Sequence, residues 1–370
     1  MKLTGAELLH LRVPLVAPFQ TSFSTQHERD LLLVRVLLDD QQGWGECVSM
    51  ADPLYSSEFN AAAALVLRDF LVPALATAGD VRAGTVAHRL TPFKGHRMAK
   101  AALEMAVLDA ELRIVGMPLS AYLGSVHTTV PSGVSVGIQP SVSALLETVG
   151  GYLDEGYVRI KLKIKPGWDL EPVRAVRERF GDIPLQVDAN TAYTLSDARH
   201  LARLDEFGLL LIEQPLEDED LTQHAELARR VATPICLDES ITSAKVAADA
   251  IRLGACSVVN IKAGRVGGYL EARRVHDVCA ASGVPVWCGG MLETGLGRAA
   301  NMALAALPGF TLPGDTSASD RFYRQDIVAE PFRIQDGHIA VPTGPGLGVE
   351  VDLDALAAVT VTRQWLPLDT

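Results

Sequence analysis

Five ionisable residues recur at a nearly constant interval along the middle of the chain. Lys163, Asp188, Glu213 and Asp238 follow one another every 25 residues, and Lys262 comes 24 residues after Asp238. One strand, its loops and one helix occupy about that many residues, so the interval is that of a repeating β/α unit. Chemistry in β/α barrels takes place at the carboxyl ends of the strands. A single acidic residue there could cap a helix, but five residues in register predict one shared site.

Three of these residues are carboxylates that could hold a metal ion. Asp188, Glu213 and Asp238 would bring together oxygen donors without His or Cys, a ligand set that suits Mg²⁺ or Mn²⁺ better than zinc. Without a cation the three carboxylates would repel one another and raise one another's pKa values. The sequence therefore predicts bound Mg²⁺, for which Mn²⁺ or Co²⁺ could substitute.

Lysines are expected on both sides of this metal. In the segment RIKLKIKPG, Lys161, Lys163 and Lys165 alternate, so we expect them to point to the same face of one strand. The regular interval favours Lys163 as the lysine that reaches the site, with Lys165 as the alternative. The segment SVVNIKAG places Lys262 on the other side of the carboxylates.

This combination of lysines and a metal has a chemical meaning. The α-proton of a carboxylate is very weakly acidic, and its removal gives an enediolate that needs a strong positive field. A divalent metal supplies that field and lowers the pKa of a neighbouring lysine, which can then act as a base. The five residues therefore predict removal of the proton next to a carboxylate.

The elements that must position these residues can be read from the sequence. Residues 1–125 mix strand-like and helical stretches, which predicts an α+β capping domain. Beyond them, apolar runs alternate with helical segments and predict the buried parallel strands of a β/α barrel over 126–320. A C-terminal segment, 321–370, is expected to return to the capping domain. The eight runs are VPSGVSVGI, YVRIKLKI, IPLQVDAN, LLLIEQP, PICLDES, SVVNIKAG, VPVWCGG and FTLPGD.

Composition argues against several classes of function. The 370-residue chain is 48% hydrophobic and 21% charged, with no apolar run long enough to span a bilayer, so no membrane role is expected. A net charge of −12 argues against nucleic acid as a partner. Five scattered cysteines without a C-x-x-C motif argue against disulfides and a zinc site. The first residues are predicted to form a strand and not a signal peptide, so a cytoplasmic location is expected.

Several segments resemble a known family. KLK, VDAN, IEQP, LDES and NIKAGRVGG, followed by GGMLETGLGRAAN and LPGD, resemble the muconate-lactonizing branch of the enolase superfamily. Within it they are most similar to the group containing N-acylamino acid racemase and o-succinylbenzoate synthase. The similarity covers nearly the whole chain, since RMAKAALEMAVLDAELRIVGMPLSAYLG resembles the family's cap-domain helix and PTGPGLGVEVD its C-terminal return. It implies a modified (β/α)8-type TIM barrel, of the form (β/α)7β, with an α+β capping domain.

The resemblance also implies roles for individual residues. Lys163 and Lys262 would form an acid/base pair, and Mg²⁺ would be bound by Asp188, Glu213 and Asp238. Asn190, in VDAN, would support the metal site. The residues expected to bind substrate are Ser135, Lys161, Asn190, Gly290 and Met291.

Further residues are expected near the site. Glu293 and Asp315 either support it or cap helices, and the sequence leaves both alternatives open. Phe19, Phe23 and Met50 fall where family members fold loops of the capping domain over the barrel mouth. They are expected to line an apolar pocket.

Missing motifs narrow the substrate class. The mandelate-racemase branch uses an aspartate and histidine pair on strands six and seven, where this chain has Lys262 and the segment WCGGML. Dipeptide epimerases show an acidic D-x-D near strand eight, which LPGDTSASD lacks. A substrate without a free ammonium group is therefore expected, such as an N-acylamino acid or a succinylated ring.

Two activities remain open from the sequence. The first is N-acylamino acid racemase, and the second is o-succinylbenzoate synthase, a syn dehydration of menaquinone biosynthesis in which Lys163 is the base and Lys262 stays cationic. Both could be activities of one site, since each needs the same enediolate. A non-catalytic binding barrel is the alternative from another class. The expected partners are a small-molecule carboxylate and further copies of the chain in a homo-oligomer.

Overall fold

The chain begins with an antiparallel sheet. The computed structural model describes residues 1–77 and 79–368. The first strands are β1 (Leu3–Gln20), β2 (Thr25–Leu38) and β3 (Gln41–Cys47), which lie side by side in that order. Leu9 and Leu11 of β1 pair with Leu33 and Leu31 of β2, and all four side chains are fully buried. One face of the sheet is therefore an apolar surface for packing.

Helices cover this sheet, and the longest of them packs closely against β3. The helices are α1 (Asn60–Val66), α2 (Val72–Ala76), α3 (Ala83–Arg89), α4 (Arg97–Val115) and α5 (Leu119–Leu123). Gly43 and Gly45 of β3 lie directly against α4, where a side chain would overlap the backbone carbonyls of Ala106 and Ala102. The absence of side chains at these two positions is what permits the close approach.

The apolar runs of the central part form a parallel sheet. A short strand, β4 (Thr129–Pro131), precedes it. Within the described residues the sheet has seven strands, and consecutive strands of the chain are neighbours. They are β5 (Gly133–Val136), β6 (Arg159–Lys163), β7 (Leu185–Asp188), β8 (Ile212–Glu213), β9 (Ile235–Leu237), β10 (Val258–Ile261) and β11 (Val286–Cys288).

Helices follow the strands, as in a β/α barrel. They are α6 (Val142–Asp154), α7 (Leu170–Phe180), α8 (Ala198–Leu201), α9 (Leu221–Leu227), α10 (Ala244–Leu253), α11 (Ala263–Val266), α12 (Tyr269–Ala281) and α13 (Gly295–Ala305). Within the described ranges, none of the helices is both long and apolar enough to cross a membrane.

The eighth apolar run, FTLPGD, closes the barrel without forming a regular strand. Phe310 makes one parallel bridge to Val286 of β11, and Gly314 makes one to Ser132 next to β5. Pro313 lies between these bridges and has no N–H to donate to a continuous ladder. The expected (β/α)7β barrel is confirmed as a fold, but isolated bridges take the place of its last strand.

The C-terminal part returns to the first sheet. Its elements are β12 (His338–Ala340), α14 (Leu353–Val359) and β13 (Thr360–Pro367). Strand β12 pairs with β4, and β13 pairs antiparallel with β1 to give the sheet order β13-β1-β2-β3. The predicted domain boundaries at residues 125 and 320 stay predictions.

Carboxylates of the first part of the chain cap helices of the barrel. Glu46 of β3 accepts hydrogen bonds from the backbone N–H groups of Thr294 (3.1 Å) and Gly297 (3.0 Å), at the start of α13. Glu104 of α4 accepts a hydrogen bond from the N–H of Tyr269, the first residue of α12. These amides would otherwise lack partners, so the two acids join the α+β layer to the barrel.

Candidate active site

The strand ends bring the spaced residues together at one end of the barrel. The register pairs Lys163 of β6 with Asp188 of β7, and Asp188 with Glu213 of β8. Asp238 directly follows β9, and Lys262 directly follows β10. The two lysines therefore lie on either side of the three acidic strand ends, because the sheet order runs from β10 to β6 through β9, β8 and β7.

Lysine ammonium groups form short ion pairs with all three carboxylates. Lys163 Nζ lies 2.6 Å from Asp188 Oδ2, and Lys262 Nζ lies 2.8 Å from Asp238 Oδ2. Lys161 Nζ lies 2.9 Å from Glu213 Oε2 and 3.3 Å from Asp188 Oδ2, which places it between these two acids. The side chains are buried, so water screens these pairs only weakly.

Burial and neighbouring charges move the pKa values of the group in different directions. Burial alone would raise the pKa of Asp188, but Lys163 and Lys161 outweigh it and hold the value below its usual range. For Glu213, burial and the nearby Asp188 charge together raise the pKa. Burial would lower the pKa of Lys262, but the surrounding acidic groups outweigh it and raise the value. The charges of the group therefore depend strongly on one another.

The donor set of this group fits a divalent cation of the hard type. Asp188, Glu213 and Asp238 offer only oxygen atoms, and they lie at the ends of three neighbouring strands. In the described part of the chain, no three His, Cys, Asp or Glu side chains lie close enough together to form a metal centre as they stand. Lysine ammonium groups provide the positive charge beside these carboxylates. The residue types fit Mg²⁺, and their role as ligands stays a prediction.

A cavity above this group is lined by most of the residues singled out from the sequence. Phe19, Phe23 and Met50 come from the first 50 residues, so the cavity lies between the α+β layer and the barrel. Ser135 Oγ is buried, and it has no hydrogen-bond partner among the residues that the structure describes. The remaining lining residues predicted from the sequence are Lys161, Lys163, Asn190, Lys262, Gly290, Met291, Glu293 and Asp315.

Lys165 does not belong to this group. The expectation that three alternating lysines face the barrel interior is wrong for this residue, because β6 ends at Lys163. The chain then turns, and the backbone N–H and C=O groups of Lys165 pair with those of Trp168 (3.1 and 2.8 Å). Lys165 is half-buried and is not among the residues that line the cavity.

The two acidic residues left ambiguous by the sequence both line the cavity. Asp315 pairs with Lys161 (2.6 Å) and with Arg159 (2.9 Å). Burial would raise the pKa of Asp315, but these two cations outweigh it and lower the value to about 2. Glu293 does not cap α13. The N-cap residue of this helix is Thr294, and the backbone N–H of Thr294 donates a hydrogen bond to Glu46. Neither acid therefore acts as a helix cap.

Further residues that we did not single out from the sequence also surround the group. Tyr55, from the first part of the chain, places its hydroxyl 3.2 Å from both Lys262 Nζ and Asp238 Oδ1. Arg265 is buried and pairs with Asp238. Glu239 accepts a hydrogen bond from Asn190 Nδ2 at 2.9 Å. Glu239 and Arg265 lie within LDES and NIKAGRVGG, two of the segments that resemble the family. Tyr55 lies in a loop without such a motif.

Comparison with known proteins places this arrangement in a family. Residues 4–124 match the family described as mandelate racemase / muconate lactonizing enzyme, N-terminal domain, and residues 144–355 match the family described as enolase C-terminal domain-like. The fold and the lysine-flanked carboxylates define a barrel protein of enolase type. The chain belongs to the enolase superfamily, in agreement with the resemblance found in the sequence.

Individual relatives are similar over nearly their full lengths. An N-succinylamino acid racemase of Amycolatopsis sp is 69% identical over 99% of this chain and 100% of its own. An o-succinylbenzoate synthase of Geobacillus kaustophilus is 49% identical over 93% of this chain and 92% of its own. A solved structure of an enolase superfamily member from Listeria innocua has a TM-score of 0.95 and 39% identity, with all of both chains covered.

Proposed function

We propose that this protein is a racemase of N-acylamino acids that removes and returns the proton next to the carboxylate. The observation that carries the proposal is the placement of Lys163 and Lys262 on opposite sides of three buried carboxylates. The similarity to a protein named N-succinylamino acid racemase over the whole chain supports the same activity. N-succinylamino acids are therefore the first substrates to test.

The two lysines divide the reaction between the faces of the substrate. The neutral form of one lysine takes the α-proton from its own face and becomes an ammonium group. The ammonium form of the other lysine gives a proton to the opposite face, which inverts the carbon. Lys163 and Lys262 exchange these roles when the other enantiomer is the substrate, so both are needed for racemisation.

A divalent metal is the proposed cofactor, with Asp188, Glu213 and Asp238 as its ligands and Mg²⁺ as the expected ion. When bound, the metal would supply the positive field that stabilises the negative charge of an enediolate. Asn190 holds its place beside these acids through a backbone hydrogen bond to Asp188 Oδ1 (3.0 Å). Treatment with EDTA should abolish activity and added Mg²⁺ should restore it, whereas full activity in metal-free protein, checked by elemental analysis, would exclude this role.

The lining of the cavity supports an N-acylated substrate with an apolar side chain. Phe19, Met50 and Phe322 give one part of it an apolar surface, and Ser135 offers a hydroxyl without a partner in the described structure. The region of Asp315 lacks the D-x-D pair that would hold a free ammonium group. We therefore propose Ser135, Lys161, Asn190, Gly290 and Met291 as substrate-binding residues, with Glu293 and Asp315 in support.

An o-succinylbenzoate synthase is the second candidate, supported by the relative of that name from Geobacillus kaustophilus. Its reaction would pass through an enediolate of the same kind, which Lys163 forms by taking the α-proton and which then loses the β-hydroxyl as water with the proton that Lys163 carries. Lys262 would stay a fixed cation paired with Asp238 (2.8 Å). Both activities could belong to one site. A role in menaquinone biosynthesis, a cytoplasmic location and a homo-oligomeric state stay predictions.

Racemisation of N-succinylmethionine tests the proposed function. The Mg²⁺-loaded protein should convert either pure enantiomer into a racemic mixture, measured by polarimetry, and should act poorly on dipeptides and free amino acids. Dehydration of the synthase substrate, followed by ultraviolet absorbance, measures the second candidate in parallel. Comparable rates on L-Ala-L-Glu and N-succinylmethionine would contradict the assigned substrate class, and no α-proton exchange with any of these compounds would favour a binding barrel.

A further inference from the structure

Glu239 is a buried acid that the two-lysine reaction does not use directly. Its side chain is 6% exposed and follows Asp238 at the end of β9. One carboxylate oxygen, Oε1, accepts a hydrogen bond from Asn190 Nδ2 (2.9 Å), while Oε2 has no partner in the described part of the chain. Asn190 Oδ1 in turn accepts a hydrogen bond from Lys163 Nζ (2.7 Å). Glu239, Asn190 and Lys163 therefore form a continuous chain of hydrogen bonds.

These hydrogen bonds fix the orientation of the Asn190 side-chain amide. Asn190 donates to Glu239 through its amide nitrogen and accepts from Lys163 through its amide oxygen, so the contact with Glu239 directs the oxygen towards Lys163. The Asn190 backbone is held as well, with φ at 43° in the left-handed region and with its C=O accepting a hydrogen bond from Ser22 Oγ (3.2 Å). Lys163 thus meets an acceptor that Glu239 orients.

Lys262 lacks a hydrogen-bonded Asn–Glu pair of this kind among the described residues. Lys262 Nζ contacts Tyr55 and Asp238, and among the described residues it makes no hydrogen bond to Asn190 or Glu239. We propose that Glu239 is a positioning residue for Lys163 alone, acting through Asn190. This inference rests on the proposed function, in which each lysine serves one face of the substrate. Its consequence is that loss of the Glu239 hydrogen-bond acceptor affects proton transfer for one enantiomer and not for the other, whereas the Glu239 charge also acts on Lys262.

Substitutions of Glu239 can separate its hydrogen bond from its charge. Glu239→Gln keeps the length of the side chain and an acceptor oxygen for Asn190 but removes the charge. Glu239→Asp keeps the charge but is shorter by one C–C bond of about 1.5 Å, so its carboxylate no longer reaches Asn190 Nδ2. Glu239→Met removes both the acceptor and the charge. If positioning is the role, the aspartate and methionine variants lose it and the glutamine variant keeps it.

The readout is exchange of the α-proton for deuterium in D₂O, followed by proton NMR on each enantiomer of N-succinylmethionine with Mg²⁺-loaded protein. Lys163→Ala and Lys262→Ala first identify the enantiomer that each lysine serves. Glu239→Asp and Glu239→Met should then slow exchange about tenfold or more for the enantiomer served by Lys163, because small displacements of a reacting group lower the rate strongly. In Glu239→Asp, which keeps the charge that acts on Lys262, exchange of the enantiomer served by Lys262 should stay close to that of the parent. Glu239→Gln should resemble the parent for the enantiomer served by Lys163.

Equal slowing of both enantiomers in Glu239→Asp, which keeps the charge, would overturn the inference, because it indicates a general role in folding or metal binding. Slowing in Glu239→Gln as large as in Glu239→Asp would also overturn it, because the charge and not the hydrogen bond would then matter. If Glu239→Asp fails to fold, the comparison of Glu239→Met with Glu239→Gln gives the same test. If Lys163→Ala and Lys262→Ala do not exchange the α-protons of opposite enantiomers, the proposed function itself is contradicted.

Discussion

Lys161 is the lysine that contacts the largest number of acidic side chains in the described part of the barrel site. Its ammonium lies within 3.3 Å of Asp188, Glu213 and Asp315, and the side chain is 2% exposed. Burial would lower the pKa of Lys161, but Asp315 and the other acids outweigh it and raise the value. The lysine therefore stays charged and links the buried Asp188 and Glu213 to Asp315, and it is the only ion-pair partner of Glu213 among the described residues.

Loss of this charge should destabilise the fold. Lys161→Met leaves the buried Glu213 carboxylate without its ion-pair partner, and breaking such a pair costs about 3–5 kcal/mol. Lys165→Met is a matched control four residues away, because Lys165 makes no salt bridge among the described residues. Urea unfolding should give a clearly lower free energy of unfolding for Lys161→Met only. Equal free energies of unfolding for the two variants would contradict this prediction, because other groups would then balance the charge of the acids.

At the scale of elements, the packing of α4 on β3 depends on residues without side chains. Gly43 and Gly45 let the helix backbone lie directly on the strand. The same helix carries Glu104, which caps α12 of the barrel. A displaced α4 would therefore disturb both the sheet and the barrel.

A methyl group at Gly45 should test this contact. Gly45→Ala would overlap the carbonyl of Ala102, and overpacking of this kind costs about 1–3 kcal/mol. Gly84→Ala is the control, since nothing lies within 4 Å of that position in α3 and alanine favours helix. Thermal unfolding should give a lower Tm for Gly45→Ala and an unchanged or slightly higher Tm for Gly84→Ala. A Tm for Gly45→Ala equal to that of the parent would contradict the close packing.

At the scale of the whole molecule, buried acids join the α+β layer to the barrel. Burial raises the pKa of Glu104 from 4.5 to about 8 and that of Glu46 to about 7. Between pH 4.5 and the raised pKa, the folded protein binds more protons than the unfolded chain. Its free energy of unfolding therefore falls as the pH rises through this window.

Glu104→Gln should remove part of that pH dependence. A neutral glutamine does not lose a proton, so the decrease in the free energy of unfolding from about pH 5 to pH 8 should be shallower in the variant than in the parent. Glu111→Gln, in the same helix, is the control because Glu111 is not fully buried. Parallel stability profiles for parent and Glu104→Gln would contradict the assignment of this pH dependence to Glu104.

How much of this could be predicted from the sequence differs between strands and loops. The barrel and the positions of Lys163, Asp188, Glu213, Asp238 and Lys262 follow from a repeat whose period is set by the length of a β/α unit. The end of β6 did not follow, because alternation alone predicts an inward Lys165 and does not reveal the turn after Lys163. Tyr55 also escaped prediction, since its contact with Lys262 joins residues 207 positions apart through loop geometry.

The central claim is that two lysines serve opposite faces of one substrate, and proton exchange tests it most directly. Lys163→Ala and Lys262→Ala would each be incubated in D₂O with pure enantiomers of N-succinylmethionine, after Mg²⁺ content and folding are checked. Neither variant should racemise the substrate, and each should incorporate deuterium into a different enantiomer, because one base remains in each. Exchange of both enantiomers by Lys163→Ala at the rate of the parent would contradict the account.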